Sequence, residues 1–266
     1  MNKMRFSIIT ICYNSGNTIE RTIKSVLNQS YTDFEYIIKD GASKDSTMDI
    51  VRKYEPLFGG RMKWVSEPDK GVYDAMNEGV KIASGDLIGI VNSDDWLEPD
   101  ALENVYKAFV ENDCDLSTNY CGGINYHWNG KIKRLHVDIK SFKRQAKLYI
   151  MAGVRHPGVF VPKMVYNRVG LFDDEMKLSA DQDFILRCHY SGIKFLNIGK
   201  IVSNMSDGGI STNNTSKSRQ YSINDRKRML KKFGKKGLSY YWLFYSWWIR
   251  GFCKQIATKI GLYKVS

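Results

Sequence analysis

The residue types best suited to chemistry in this chain of 266 residues are polar side chains that directly follow apolar runs. Three such places are Tyr13-Asn14, Asp40-Gly41 and Asn92-Ser93-Asp94-Asp95. Two adjacent carboxylates repel each other and raise a pKa unless a positive charge lies nearby. A divalent cation supplies that charge and often shares carboxylate ligands with substrate phosphates. Asp94 and Asp95 therefore predict a metal site, although an aspartate that starts a turn or caps a helix gives the same local sequence.

The first hundred residues alternate between strand and helix patterns, and this alternation favours a parallel sheet with right-handed crossovers. Apolar and β-branched runs predict strands at Arg5–Tyr13, Glu35–Lys39, Lys63–Ser66 and Leu87–Val91. Helical spacing predicts helices over Ile19–Leu27 with Asn17 as N-cap, and over Ser46–Tyr54, Val72–Ala83 and Asp100–Val110. Ligands of such sheets bind beyond the carboxyl ends of the strands, where the polar residues lie.

The second half has a different pattern. Gly123–Leu135 predicts a hairpin that turns at Asn129-Gly130, a strong two-residue turn signal. Val159–Val161 predicts a short strand and Asp181–His189 a helix. Gly208-Gly209 and the polar stretch Ser211–Ser218 are expected to form a mobile loop.

Cationic residues are concentrated at the end of the chain. The formal net charge is +12, and residues 216–266 carry 13 Lys and Arg against one acid, Asp225. The rest of the chain is therefore neutral overall. This asymmetry suggests an anionic partner and predicts a main domain, 1–215, followed by a basic helical extension, 216–266.

The extension also contains an aromatic block, since eight of the 13 residues in Tyr240–Phe252 are aromatic. Tryptophan and tyrosine favour lipid headgroups and basic side chains favour anionic lipid, so residues 226–256 predict contact with an anionic membrane surface. A helix docked on the main domain or a homodimer interface would also explain the block. Nucleic acid is disfavoured because the strand-end acids would repel its phosphates.

The remaining composition suggests a cytosolic protein. The five cysteines are widely spaced and lack the spacing of zinc ligands, so we expect reduced thiols. The apolar run after Arg5 is too short for a signal peptide, and no stretch of 18 apolar residues predicts a membrane span.

Five segments in order resemble glycosyltransferase family 2, an inverting family with the GT-A fold that includes enzymes of bacterial polysaccharide and O-antigen assembly. The segments are Ser7–Asn14, Gln29–Thr47, Glu67–Gly79, Ala83–Trp96 and Ser179–Arg187. The resemblance implies an α/β, Rossmann-like fold whose mostly parallel central sheet is flanked by helices. It also implies a nucleotide-binding half, 1–98, and an acceptor-side half, 99–215.

The resemblance assigns roles to the strand-end residues. Tyr13 would stack on a uracil ring, Asp40 would accept a hydrogen bond from the base, and Asp94 would contact the ribose. Asp95, with Asp94, would hold Mn²⁺ or Mg²⁺ as a Lewis acid. The donor-binding residues implied are Thr10, Tyr13, Asn14, Asp40, Lys70, Gly71, Asn77, Asn92 and Asp94. An ordinary strand-end tyrosine, a turn aspartate and a solvated lysine are the alternatives for Tyr13, Asp40 and Lys70.

Asp181 matches the catalytic base of the family, which removes the proton of the attacking hydroxyl. Asp183 is its neighbour and competitor, and His156 resembles an acceptor-side histidine of relatives. One departure stands at Asn92, where the family's D-x-D element has an acid. An amide can still bind a ribose but brings no charge to a metal.

The implied function is an inverting, metal-dependent, non-processive glycosyltransferase. Its donor would be a nucleotide sugar, with UDP favoured, and its acceptor a saccharide or lipid-linked saccharide. The enzyme would act at the cytoplasmic face of a bacterial membrane in surface polysaccharide synthesis. The alternatives are a sugar nucleotidyltransferase, although its glycine-rich loop is absent after the first strand, and a catalytically silent scaffold that binds nucleotide sugars at the membrane.

Overall fold

Four strands form the parallel part of the sheet in the computed structural model, which describes residues 5–149, 153–207 and 216–233. They are β1 (Phe6–Cys12), β2 (Phe34–Asp40), β3 (Met62–Ser66) and β4 (Leu87–Ile90), in the spatial order β3-β2-β1-β4. β1 and β2 are buried along their whole length, as expected for strands covered on both faces. The parallel arrangement predicted for this half is confirmed.

Five later strands extend this sheet with mixed polarity. They are β5 (Trp96–Leu97), β6 (Thr118–Trp128), β7 (Lys131–Leu135), β8 (Val159–Pro162) and β9 (Lys194–Ser206). β8 pairs antiparallel with β4 and with β6, whereas β9 runs parallel to β6 and antiparallel to β5. β7 pairs with β6 through the predicted turn, where Asn129 and Gly130 both have positive φ, 46° and 71°.

Eight helices lie among the described residues. They are α1 (Ile19–Leu27), α2 (Thr47–Tyr54), α3 (Val72–Ile82), α4 (Ala101–Glu111), α5 (Ile139–Tyr149), α6 (Lys163–Val169), α7 (Ala180–Tyr190) and α8 (Ser216–Lys232). The buried faces of α1, α2 and α4 pack with the sheet in one core cluster. A close approach occurs at Gly89 of β4, where a Cβ would lie 2.7 Å from the Phe160 ring, so only glycine fits there without a shift.

Several local predictions were wrong. Asn17 is not the N-cap of α1, because Thr18 precedes the helix and makes no side-chain capping bond. Residues 216–218 begin α8 instead of ending a loop. Gly208-Gly209 and the rest of that expected loop, to residue 215, lie outside the described residues.

The chain divides into two compact units, residues 1–225 and 226–266. Only residues 226–233 of the second unit are described. The aromatic block Tyr240–Phe252 lies outside the described residues, so its membrane, docking and dimer interpretations stay predictions. Within the described ranges, no helix combines the length and apolar character needed to cross a bilayer.

Candidate active site

The predicted strand-end residues meet at the carboxyl edge of the parallel sheet. The chain after β1 contacts the chain after β4, since the Ser15 and Ser93 hydroxyls lie 2.8 Å apart. It also contacts the chain after β2, where the backbone amide of Asn14 donates to Ser43 Oγ at 2.7 Å. Asn14 has a positive φ of 49°, and its side-chain oxygen accepts a bond from the Lys44 amide. Asn14 therefore fixes the loop that borders the site.

The Tyr13 ring offers an open aromatic face beside a glycine. Tyr13 is 63% exposed, which is unusual for a tyrosine next to a buried strand. A Cβ added to Gly41 would lie 3.3 Å from the Tyr13 ring and 2.7 Å from Asp69 Oδ2. An exposed aromatic ring is suited to stack a planar base, and Gly41 beside it has no side chain.

Asp40 is fully buried, with 0% of its surface exposed. One carboxylate oxygen accepts from the Ser43 hydroxyl, and the other accepts from the Ser43 amide at 2.9 Å and the Ser66 hydroxyl at 2.7 Å. Asp40 therefore holds the loops after β2 and β3 together.

The Asp95 carboxyl is buried at the end of β4 and is 2% exposed. Burial, followed by the negative charge of Asp94, raises the pKa of Asp95 to about 7. Burial also raises the pKa of Asp94. The charged forms of both acids are therefore unfavourable in the protein alone, and a bound cation would offset this cost.

The residues at this edge fit a divalent metal. Asn92 donates to Asp95 Oδ2 at 3.3 Å, while its own Oδ1 is buried without a hydrogen-bond partner in the structure. An unpartnered amide oxygen next to two carboxylates is a donor set that a hard cation or a ribose hydroxyl would satisfy. The described residues contain no group of three or more His, Cys, Asp or Glu able to hold a metal. Further ligands would therefore have to come from outside this set, as substrate phosphates and water do for Mg²⁺.

Two residues that the sequence did not identify hold the Asp94-Asp95 turn. The backbone amide of Ser206, at the end of β9, donates to Asp95 Oδ1 at 2.9 Å. Arg21 of α1 donates to the carbonyl of Asp94 at 2.7 Å and to Ser206 Oγ at 2.8 Å. The Arg21 guanidinium also lies 3.7 Å from the centre of the Trp96 ring. These contacts join residues more than 70 positions apart, so local sequence patterns give no signal for them.

The segment before α3 borders open space. Gly71 has a φ of 128°, a conformation that favours glycine, and no atom lies within 4 Å of the position a Cβ would take. Its amide donates to Asp69 Oδ1, and the amide of Lys70 donates to Asp74 Oδ2, each at 2.9 Å. The loop is thus held by its own acids beside the start of α3, where helix amides favour a phosphate.

Asp181 lies in the first turn of α7, and its Oδ1 accepts a hydrogen bond of 3.2 Å from the Tyr73 hydroxyl. Tyr73 is buried in the first turn of α3, so the bond links Asp181 to the segment that follows β3. Burial, followed by the charge of Asp181, raises the pKa of Tyr73 well above its usual value. His156 is half-buried, and burial lowers its pKa while the nearby charge of Asp181 opposes this shift. The structure thus brings Tyr73, Asp181 and His156 together.

Three predicted site residues form hydrogen bonds within the protein. Thr10 is fully buried and accepts a hydrogen bond of 3.0 Å from the Tyr36 hydroxyl. The Asn77 amide group bonds both the carbonyl and the amide of Phe172, at 3.0 and 2.9 Å. Asp183 is also fully buried, and its Oδ2 accepts from Arg187 Nε at 2.7 Å. These bonds give each side chain a structural role, and the donor contacts of Thr10 and Asn77 and the acceptor contact of Asp183 stay predictions.

A carboxylate from α8 supports the turn that carries Asp181. Asp225 is 4% exposed, and its oxygens accept hydrogen bonds from the backbone amides of Lys177, Leu178 and Ser179. These three residues directly precede α7. The single acid of the basic extension therefore fixes the start of the helix on which Asp181 lies.

A further cavity lies elsewhere. Its volume is about 490 Å³, and its lining includes Asn112, Lys143, His189 and Lys194. It shares no residue with the strand-end cluster, so we assign it no part in the site.

The fold and this edge define a GT-A type of protein, and comparisons with solved structures agree. The crystal structure of S. aureus TarS 1–349 in complex with UDP-GlcNAc aligns with a TM-score of 0.64 at 20% identity, covering 85% of this chain and 66% of that one. The mannosyltransferase PcManGT from Pyrobaculum calidifontis, in complex with GDP-Man and Mn²⁺, also gives 0.64 at 20% identity, covering 89% and 66%. At these identities the similarity establishes the fold.

Sequence comparison establishes the family. The family model described as glycosyl transferase family 2 matches residues 7–171, more than half of the chain. The PGL/p-HBAD biosynthesis glycosyltransferase of Mycobacterium bovis strain BCG is 31% identical over 188 residues, 69% of each chain. This chain therefore belongs to glycosyl transferase family 2. It spans only 20% of the length of two longer curated relatives, each 32% identical over 200 residues.

Proposed function

We propose that the protein is an inverting, metal-dependent, non-processive glycosyltransferase. It moves a sugar from a nucleotide sugar, with UDP favoured, to a hydroxyl of a saccharide or lipid-linked saccharide. The observation that carries the proposal is the Asp181 carboxylate, which the Tyr73 hydroxyl holds at 3.2 Å at the start of α3, the helix that follows the carboxyl end of β3. A fixed carboxylate can remove a proton, and the acid pair Asp94-Asp95 that follows β4 can hold a metal for diphosphate departure.

The donor class is supported by the structural neighbours. TarS was crystallised with UDP-GlcNAc, and PcManGT with GDP-Man and Mn²⁺. Both are nucleotide diphosphate sugars, and one complex contains a divalent metal. The exposed Tyr13 ring beside Gly41 supplies the stacking surface for a base.

In the proposed reaction, Asp181 accepts the proton of the acceptor hydroxyl as that oxygen attacks the anomeric carbon. The new C–O bond forms on the face opposite the departing nucleotide diphosphate, whose bond to the sugar breaks, so the configuration inverts. When bound at Asp95 and Asp94, a divalent cation neutralises charge on the diphosphate. The Lys70 and Gly71 amides already bind Asp74 and Asp69, so the first turn of α3 would supply the helix amides to the same group.

The acceptor and the location extend the proposal. The curated mycobacterial relative is named for PGL/p-HBAD biosynthesis. For this chain we propose a role in bacterial surface polysaccharide synthesis, at the cytoplasmic face of the membrane. The basic, aromatic residues 226–256 would bind the anionic lipid.

Donor binding is tested by the melting temperature of the protein with UDP, GDP or CMP, each with and without Mn²⁺. We expect UDP with Mn²⁺ to raise it most, because a ligand that binds only the folded state stabilises it. Stabilisation by GDP or CMP but not UDP would overturn the donor assignment. If no nucleotide changes the melting temperature, the assignment of this edge as a nucleotide-binding site is wrong.

The same assay with Asp95→Asn tests the metal site. We expect the variant to lose the Mn²⁺-dependent part of the UDP response. The folded-state pKa of Asp95, about 7, lies above that of an unfolded aspartate, so the carboxyl lowers stability above pH 7 and this cost fades as the pH falls. Without metal at pH 8, Asp95→Asn should therefore melt no lower than the wild type. An undiminished Mn²⁺ response would show that the metal binds at residues other than Asp95.

Replacing Tyr73 with Phe removes the hydroxyl that donates to Asp181 and keeps the ring packed on Phe172. We expect kcat to fall about tenfold, since a hydrogen bond to a charged group contributes about 1.5–3 kcal/mol. Donor binding, measured by the UDP-induced melting shift, should not change. Tyr166→Phe is a matched control, because Tyr166 is also buried against Phe172 but has no described bond to Asp181. Equal losses in both variants would contradict the positioning role.

A further inference from the structure

The β6–β7 hairpin leaves the sheet next to the metal-type acids. In the pairing of β6 with β9, Tyr126 lies beside Met205 and His127 beside Ser206. The Ser206 amide is the one that binds Asp95. The turn of the hairpin lies two residues beyond His127, at Asn129-Gly130. The hairpin tip therefore extends from the same end of the sheet as the site.

One face of this hairpin combines aromatic and cationic side chains. Residues directly opposite each other in an antiparallel pair share a face, and the register pairs Tyr126 with Lys133 and Trp128 with Lys131. Both aromatic residues are half-buried and both lysines are exposed. On the other face, Ile132 is 61% exposed opposite His127.

The cations of this region have no acidic partners within the described part of the chain. The exposed cations of β7 and the first turns of α5 are Lys131, Lys133, Arg134, Lys140, Lys143 and Arg144. None of them forms a described ion pair. The only acid between residues 131 and 146 is Asp138. The neutral overall charge of residues 1–215 thus conceals a local basic surface.

The aromatic–basic face lies towards the acceptor side. Burial, followed by the charge of Asp207, raises the pKa of Tyr126, and the positive charge of Arg155 opposes this shift. Arg155 is exposed and directly precedes His156, and the charge of Asp181 acts to raise the pKa of His156. Tyr126 is therefore near the segment that leads to the proposed catalytic base.

We propose that this hairpin, residues 126–134, is a docking surface for an anionic phospholipid bilayer. Tyrosine and tryptophan favour the headgroup region, and lysines beside them favour anionic lipid. Lys131 and Lys133 lie exposed on β7, which pairs with β6 alone among the described strands, and such an open strand suits an extended charged surface better than one small phosphate. Membrane docking at the hairpin would present a lipid-linked acceptor on the side of Asp181, and only this consequence rests on the proposed function.

The experiment measures binding of the full chain to phosphatidylcholine vesicles with and without phosphatidylglycerol. The variant is Lys131→Gln with Lys133→Gln. The control is Lys81→Gln with Lys107→Gln, which removes the same charge from exposed sites on α3 and α4. We expect the hairpin variant to bind the phosphatidylglycerol vesicles about tenfold to thirtyfold more weakly than the control, because each lysine near an anionic surface contributes severalfold.

If the hairpin variant binds vesicles as strongly as the wild type, the proposal is wrong. The lysines would then be explained as charges that keep an edge strand from pairing with another chain. Equal loss in the control would show a response to net charge alone and would also overturn it. Wild-type protein that binds inorganic pyrophosphate through these lysines, but not vesicles, would reassign the surface to a soluble anion. The UDP-induced melting shift of the same variants reports the donor site separately, so failure of the proposed function is distinguishable.

Discussion

Asp181→Asn is expected to lower the rate of sugar transfer about a thousandfold, because general base catalysis typically contributes about 10²–10⁴. The amide keeps the shape of the side chain, and its oxygen can still accept the bond from the Tyr73 hydroxyl. The UDP-induced melting shift and the melting temperature itself should therefore stay as in the wild type. Transfer is measured with labelled donor and an acceptor extract, together with slow hydrolysis of the donor.

Asp174→Asn provides the control for this variant. Asp174 is half-buried in the loop before α7, outside the contacts of Asp181, so its replacement should leave transfer unchanged. If Asp181→Asn keeps full activity, another base must be sought. If the wild type binds donor yet neither transfers nor hydrolyses it with any acceptor, the protein is a binding scaffold, the alternative that the missing acid at Asn92 suggests.

Asp183→Ala is expected to have the opposite effect, lowering the free energy of unfolding by about 3–5 kcal/mol. The change would leave the Arg187 guanidinium, which is 15% exposed, without its only described carboxylate partner. Arg187 also donates to the carbonyls of Val169, Gly170 and Leu171, so it cannot simply turn to solvent without further loss. For a unit of this size we expect the melting temperature to fall by about 10 °C.

The measurement for Asp183→Ala is thermal and urea unfolding, read beside transfer activity at a temperature where the variant is folded. Activity per folded molecule should stay within a few-fold of the wild type. An unchanged melting temperature with lost transfer would return Asp183 to the acceptor side, where the resemblance had placed it. Asp181 and Asp183, which are separated by one residue, would thus have different roles, Asp181 in the reaction and Asp183 in stability.

The parallel half of the fold could be predicted because its signals are local. β1 and β2 are rich in apolar and β-branched residues and end in polar turns, and the Asn129-Gly130 pair fixes the hairpin. β9 had no such signal, since Lys194, Asn197 and Lys200 interrupt its alternation and its partners are distant. α5 was missed because its low apolar content leaves little beyond Phe142 and Ala146 to mark a buried face.

For the site, the motifs identified segments that meet at one edge of the sheet, but they did not show which of their polar side chains bond to other parts of the protein. Thr10 and Asn77 lie inside the matching runs, yet their polar groups serve Tyr36 and Phe172. Tyr73 lies inside a matching run and was passed over, because only the folded chain reveals its bond to Asp181. Pairings across about a hundred residues depend on tertiary structure, which single-sequence patterns do not contain.

The carboxylate of Asp225 has a practical consequence for shortened versions of the protein. A truncation at residue 215, where charge composition alone places the boundary, would delete the acceptor of three consecutive amides in the turn before α7. Those amides would then have only water as a hydrogen-bond acceptor, and the first turn of the helix would fray. The smallest fragment that preserves the reactive geometry therefore extends at least through Asp225 of α8.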